Sequence, residues 1–173
     1  FSATDENGTE LWKTDGTANG TVMVKDIYAG TDGYGQAASG YPSNLTVFNN
    51  ALFFDAADGN GTELWKTDGT ESGTVMVKDV NPDENGSNPI DLQVYGDKLY
   101  FFADDGTHGY ELWESDGTEA GTKLHADIYP NLNGSARLVS YNDGYQEHFW
   151  YEAPLTVADG KMYFSADDGT NGH

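Results

Sequence analysis

Acidic side chains clustered on short turns are the residues of this sequence best suited to chemistry. Ca²⁺ takes roughly six to eight oxygen ligands from closely spaced carboxylates, amides and backbone carbonyls, on turns that Gly makes tight. Four turns offer such groups, each next to a run of strand-forming residues. Calcium is therefore the candidate cofactor, and the candidate ligands are Asp5, Asn7, Asp58, Asn60, Asp104, Asp105, Asp167 and Asp168.

These turns also have a purely structural interpretation, which we prefer. Asp, Asn and Gly are the default residues of tight turns, because Asp and Asn side chains hydrogen-bond their own backbone. None of the segments matches the twelve-residue EF-hand loop or the nonapeptide calcium repeat. The sequence leaves both alternatives open.

An aromatic stretch within residues 136–154 is the second candidate site. Aromatic side chains on a loop suit protein contacts or stacking on sugar rings. The alternative is that the stretch folds over an open end of the molecule as a cap. The candidate binding residues are Tyr141, Tyr145, His148, Phe149, Trp150 and Tyr151.

The sequence predicts no catalytic residues. Its histidines show no metal-ligand spacing, and no nucleophile elbow, phosphate-binding loop or dinucleotide fingerprint is present. Pairs of carboxylates that could hydrolyse glycosides carry no weight, because so acidic a chain always offers one. The sequence therefore favours a protein that is not an enzyme.

An internal repeat positions all of these residues. Glu-Leu-Trp-Lys-Thr-Asp-Gly-Thr occurs at 10–17 and 63–70 and returns as Glu-Leu-Trp-Glu-Ser-Asp-Gly-Thr at 111–118. Self-similarity at a period near fifty residues indicates one supersecondary unit used several times. The chain is thus one repeat domain, 1–173, with units at about 10–62, 63–110 and 111–173, a partial unit at 1–9 and the insertion at 136–154.

Each unit contains four short runs of β-branched and aromatic residues separated by Gly, Asp and Asn. Such runs predict strands joined by hairpins, here at 63–67, 74–80, 91–95 and 98–103 in the second unit. No window has a sustained helical period. The sequence predicts an all-β fold of repeated four-stranded antiparallel units, about three per chain, resembling β-propeller blades.

Six residues that recur within the repeat are interpreted as structural. The Trp of each unit offers a large apolar surface for packing between blades, and the Asp that follows it fits a tight turn. These residues are Trp12, Trp65, Trp113, Asp15, Asp68 and Asp116.

The full signature Glu-Leu-Trp-x-x-Asp-Gly-Thr-x-x-Gly-Thr, met at 10–21, 63–74 and 111–122, resembles that of the ELWxxDGT repeat proteins. This family belongs to large bacterial secreted and surface proteins. The resemblance covers nearly the whole chain and implies a propeller-like module, extracellular or at the cell surface. It implies no established activity.

The two ends of the sequence fall at the same point of the repeat, since residues 1–9 follow the pattern of 164–172. We therefore expect an open half-blade at each end. The chain could be part of a longer array, could complete its half-blades head to tail with another copy, or could be an open domain that tolerates its edges.

Composition narrows the partners. The net charge of −21, from 29 acidic against 8 basic residues, excludes nucleic acid, because phosphate binding needs Lys and Arg. So large a charge repels itself, which predicts stabilisation by cations. No apolar run is long enough to span a membrane, and the absence of cysteine removes disulfides and thiol chemistry.

Together these features predict a non-enzymatic, extracellular structural or adhesive repeat protein. Its expected partner is itself, in a head-to-tail ring or filament, or adjoining repeats of a longer array. The alternative is a module that binds carbohydrate or protein through the aromatic insertion.

Overall fold

The computed structural model describes residues 1–82, 85–130, 134, 138–142, 147–151 and 154–171. The described residues form strands, turns and loops and contain no helix, so the all-β prediction is confirmed. The strands are β1 (Ser2–Asp5), β2 (Gly8–Lys13), β3 (Val22–Lys25), β4 (Ser43–Phe48), β5 (Ala51–Asp58), β6 (Gly61–Thr67), β7 (Val75–Lys78), β8 (Ile90–Tyr95), β9 (Lys98–Asp104), β10 (Tyr110–Ser115), β11 (Lys123–Ala126), β12 (Leu138–Asn142), β13 (Glu147–Tyr151), β14 (Thr156–Ala158) and β15 (Lys161–Tyr163).

All strand pairs within the sheets are antiparallel, as the hairpin spacing predicts. Strands β1–β3 form the first sheet, β4–β7 the second and β8–β11 the third, each in chain order, and β14 and β15 form a separate two-stranded hairpin. Each four-stranded sheet joins the last two strands of one sequence unit to the Glu-Leu-Trp strand pair of the next. The Glu-Leu-Trp strand thus lies in the interior of its sheet.

The first strand of both four-stranded sheets carries a β-bulge. The register shifts between Ser43 and Thr46 in β4 and between Ile90 and Gln93 in β8. Asn44 and Asp91 lie at the two bulges with φ of 51° and 55°, a left-handed conformation that Asn and Asp tolerate better than other non-Gly residues. Both bulges face the neighbouring first strand.

The hydrophobic core lies between successive sheets, in what we call seams. The first seam buries Leu11, Val24 and Ile27 of the first sheet against Phe54 and Trp65 of the second. The second seam buries the equivalent residues one sheet further on, ending at Trp113. The third seam lies between the third sheet and the β14–β15 hairpin and contains Phe102, Leu112 and Leu155. The residues of the second seam are Phe48, Phe53, Leu64, Val77, Val80, Leu99, Phe101, Ala103 and Trp113.

The insertion forms a hairpin of its own, β12–β13, in which Tyr141 is opposite His148 and Val139 is opposite Trp150. This hairpin pairs with neither neighbouring sheet among the described residues. Tyr145 lies outside the described residues. None of the described segments forms a helix long and apolar enough to cross a membrane.

Candidate functional site

The Asp-Gly-Thr turn uses the polar groups of the repeat signature on its own backbone. In the second repeat, Asp68 Oδ1 accepts hydrogen bonds from Thr70 N at 2.8 Å and Thr70 Oγ1 at 2.6 Å. Thr70 Oγ1 accepts one from Gly73 N, and Thr74 Oγ1 donates to Thr70 O. The same bonds recur around Asp15 and Asp116. Asp15, Asp68 and Asp116 are therefore placed as turn residues at the surface.

Two glycines of each signature make this turn possible. Gly69 has a φ of 89°, which a Cβ disfavours. A Cβ on Gly73 would lie 2.1 Å from Asp68 Oδ1, so the second Gly leaves the space in which the carboxylate sits. The Thr hydroxyl and amide hydrogen bonds hold the pKa of the Asp68 carboxyl below its usual value.

The Glu that opens each signature is a buried tie between strand and loop. Glu63 is 1 % exposed. It accepts hydrogen bonds from Val80 N and Asn81 N, both at 3.2 Å, and from Ser87 N at 2.8 Å. Glu10 accepts from Ile27 N and Gly40 N in the same way, and burial raises the pKa of both carboxyls. Sequence reasoning missed this role, although a Glu between apolar strand residues in every repeat was the available signal.

The signature tryptophans pack towards the preceding sheet. Trp65 and Trp113 are each 6 % exposed and lie in the first and second seams. Trp12, on the first sheet, is only half-buried. The indole Nε1 of each of the three is buried without a hydrogen-bond partner among the described residues, so packing holds these rings in place.

Lysines bridge the first and second seams at matching positions. Lys13 Nζ donates to Gly69 O at 2.7 Å, and Lys66 Nζ donates to Gly117 O at 2.7 Å. Each bond runs from a Glu-Leu-Trp-Lys strand to the Asp-Gly-Thr turn of the next sheet. Carbonyls on that turn are thus used as acceptors between repeats.

A second pair of lysine bridges runs beside the first. Lys25 Nζ donates to Thr74 O at 2.9 Å, and Lys78 Nζ to Thr122 O at 3.1 Å. The Lys25 amine also lies 6.0 Å from the centre of the Trp65 ring, within cation–π range. Four of the lysines in this acidic chain therefore join neighbouring sheets.

The third repeat replaces both bridging lysines. Glu114 stands where Lys13 and Lys66 stand in the other repeats, and Ala126 where Lys25 and Lys78 stand. The Glu114 side chain is 8 % exposed, pairs with Lys98 and lies 2.6 Å from His125 Nδ1. Both partners lower the pKa of the Glu114 carboxyl. The bridge to a following repeat is replaced by an ion-pair cluster within one sheet.

A polar pocket of about 310 Å³ lies where the first strands of three successive sheets meet. Its walls are Asn44 to Thr46 of β4, Asp91 to Gln93 of β8, and Pro154 and Leu155 ahead of β14. Asp91 Oδ2 is buried without a partner among the described residues, and burial raises the pKa of this carboxyl. The two bulges of the fold thus face a shared space.

The candidate calcium ligands all lie at turns and are hydrogen-bonded locally. Asp58 Oδ1 accepts from Asn60 N at 2.7 Å, and Asp5 Oδ1 from Asn7 N at 2.8 Å. Among the described residues, no three His, Asp or Glu side chains gather closely enough to hold a metal ion. Calcium binding stays a prediction. The remaining candidates bond in the same way: Asp104 to Gly106, Asp105 to Thr107 and His108, Asp167 to Gly169, and Asp168 to Thr170 and Asn171.

The aromatic candidates fall on the insertion hairpin. Tyr141 lies in β12, and His148, Phe149, Trp150 and Tyr151 lie in β13, whereas Tyr145 is outside the described residues. The backbone register brings Tyr141 opposite His148 and Ser140 opposite Phe149. The hairpin therefore gathers most of the aromatic candidates along one strand.

Comparison with known proteins leaves the geometry as the basis for assigning a function. No protein-family model, curated protein or solved structure matches this chain. The likeness to ELWxxDGT repeat proteins stays a prediction from the signature.

Proposed function

We propose that this chain is a non-enzymatic structural repeat module whose role is to build a rigid extracellular scaffold from sheets stacked side by side. The observation that carries the proposal is the recurrence of the same seam contacts from sheet to sheet. A Trp, a turn carbonyl and two lysines meet at equivalent positions in the first and second seams. The signature residues serve to join repeats.

The scaffold is a β-propeller-like stack in this proposal. In a propeller, the first strand of every blade lies next to the central axis. Here Thr46 Oγ1 of β4 donates a hydrogen bond to Leu92 O of β8 at 3.4 Å. The walls of the 310 Å³ pocket come from the first strands of three successive sheets or the residues just ahead of them. Both observations support sheets that converge on one axis.

Three further properties support an extracellular, adhesive role. The sequence has no cysteine and a net charge of −21, and its signature resembles that of secreted and surface proteins. In the proposed scaffold, divalent cations such as calcium screen the repulsion between acidic surfaces. The partners are adjoining repeats of the same kind or neighbouring copies.

The lysine bridges provide the test. Replacing Lys66 by Met keeps most of the side-chain volume and removes the bond to Gly117 O. We expect the variant to lose about 1 kcal/mol of stability, or about 2–4 °C in Tm. Lys161→Met is the matched control, because Lys161 makes no hydrogen bond or ion pair with a described residue. Equal Tm values for the two variants would argue against load-bearing seams.

A second candidate function rests on the insertion hairpin. It is a module that binds carbohydrate or protein through Trp150 and Tyr151, and the separation of β12–β13 from the main sheets supports it. Replacing both residues by Ala would abolish binding in a glycan-array screen while far-ultraviolet circular dichroism stays unchanged. A structural role predicts no glycan binding by either protein.

A further inference from the structure

The second seam shows how a signature tryptophan is enclosed. Trp113 packs among Leu64, Val77 and Val80 of the preceding sheet and among Leu99 and Phe101 of its own sheet. The first seam repeats this arrangement around Trp65. Each enclosure therefore needs one sheet in front of the Trp and the first two strands of the Trp's own sheet.

The third seam contains the same enclosure without a tryptophan. A pocket of about 470 Å³ opens there between the third sheet and the β14–β15 hairpin. No Trp from the described part of the chain lines it. We call this pocket the socket. Leu112, His125, Ile128, Met162 and Phe164 line it at positions equivalent to Leu64, Val77, Val80, Leu99 and Phe101.

The first sheet carries the complementary surface. Trp12 is half-buried where Trp65 and Trp113 are buried, because no described sheet lies in front of it. Phe1 beside it is 49 % exposed. A half-exposed Trp on a sheet face matches the group that the socket lacks.

The strands complement each other as well. In the second sheet, the single strand β5 pairs with β6 over its whole length. β15 corresponds to the beginning of β5, and β1 corresponds to its end, with Asp5 opposite Gly8 as Asp58 is opposite Gly61. β15 of one copy and β1 of another, side by side with β2, reproduce the whole of β5. Residues 164–168 repeat the pattern of 1–5 and form no strand here.

We infer that the socket receives Trp12 of a second copy of this chain, so that β2 and β3 of the second copy complete the sheet begun by β14 and β15. The inference rests on the proposed stacking of repeats and assigns its partner surface. β15 adds to the edge strand position beside β2, a recognised mode of strand augmentation. The register of β5 and β6 places Met162 opposite Thr14 of the second copy, as Leu52 is opposite Thr67.

The joint between copies is weaker than the internal seams. Ala126 cannot reach the Thr21 carbonyl of the second copy as Lys25 reaches Thr74 O. Glu114 cannot donate to the Gly16 carbonyl as Lys13 donates to Gly69 O. Association is therefore reversible and concentration-dependent.

Disulfide trapping tests the register. The chain has no cysteine, so Thr14→Cys and Met162→Cys can be mixed as two single variants, one of them isotope-labelled, and oxidised. Directly opposite residues have Cβ atoms about 4.5–5.5 Å apart, within reach of a disulfide. We expect links between residues 14 and 162 to dominate over 14–14 and 162–162 links by mass spectrometry. A statistical mixture would overturn the inference. Tyr34→Cys, at a residue 91 % exposed, mixed with Met162→Cys is the control that should give a statistical mixture.

Light scattering supplies a second test without cross-linking. Trp12→Ala should weaken association by at least roughly 100-fold, and Ala126→Lys should tighten it by about tenfold by restoring one bridge. A wild-type protein and an Ala126→Lys variant that both stay at 18.8 kDa at every concentration would overturn the inference. The Lys66→Met comparison would still stand in that case, because it tests seams within one chain.

Discussion

The second and third seams use one template with different residues. In the second seam, Trp113 fills the space between sheets, and Lys66 and Lys78 donate to turn carbonyls across it. In the third seam, a 470 Å³ pocket replaces the Trp, and Glu114 and Ala126 replace the lysines. The difference teaches that a few substitutions turn a closed joint into an open one while the sheet itself persists.

The buried glutamates of the two seams make the same contrast in charge. Glu63 is held by neutral backbone amides and the Ser87 hydroxyl, and burial raises the pKa of its carboxyl. Glu114 is held by Lys98 and His125, which lower the pKa of its carboxyl. One carboxylate fixes a loop inside a repeat, and the other neutralises cations at an exposed joint.

Replacing the tryptophan should give the largest difference between a closed and an open seam. We expect Trp113→Ala to cost about 3–5 kcal/mol, because it leaves a cavity in a packed seam. Trp12→Ala should cost less than about 1 kcal/mol in dilute protein, because its ring is half-exposed and lacks a preceding sheet. Urea unfolding at low protein concentration measures both. Equal losses would mean that the two seams do not differ as the structure indicates.

Much of this fold follows from period and turn chemistry. The strands predicted at 91–95 and 98–103 agree with β8 and β9 to within one residue, because β-branched runs and Gly-Asp turns specify hairpins locally. Sheet membership was harder to predict. The four strands of one sequence unit are divided between two sheets, since a repeat in sequence has no preferred starting point.

The buried glutamates and bridging lysines could not be predicted in the same way. Glu63 reaches amides 17 and more residues away, and Lys66 reaches a carbonyl 51 residues away. Contacts of that length depend on how sheets pack, and a local pattern carries no information about it. The replacement of Lys66 by Glu114 in the third repeat was visible in the sequence, but its consequence required the structure.

Neutralising the two glutamates should change stability with opposite pH dependence. The folded-state pKa of Glu63 is raised, so the unfolded chain ionises first and wild-type stability falls as pH rises above about 4.3, the usual Glu value. Glu63→Gln should therefore cost more near pH 5, about 2 kcal/mol, than at pH 8. Urea midpoints across this range measure the change. A cost that grows with pH would contradict the assigned environment.

Glu114 gives the reverse sign. Its folded-state pKa is lowered, so its contribution is present above the unfolded pKa of about 4.3 and is lost as pH falls through the folded value. Glu114→Gln should cost about 1–2 kcal/mol at pH 7 and progressively less below pH 4. The same urea series tests it, with Glu119→Gln, at an exposed turn residue, as the control. A cost that does not change with pH would show that Lys98 and His125 do not stabilise the charge.

Cations should have the smallest effect and should act on both kinds of seam alike. A net charge of −21 repels itself at low ionic strength, and NaCl at about 0.1 M screens charges beyond about 10 Å. We expect millimolar Ca²⁺ to add about 1 kcal/mol or less beyond NaCl of equal ionic strength, because the carboxylates of the acidic turns already accept local hydrogen bonds. Calorimetry of the wild type and of Asp58→Asn separates binding from screening. Equal Ca²⁺ and NaCl effects would leave the turn carboxylates with a structural role alone, whereas a Ca²⁺ increment lost in Asp58→Asn would assign the ion to that turn.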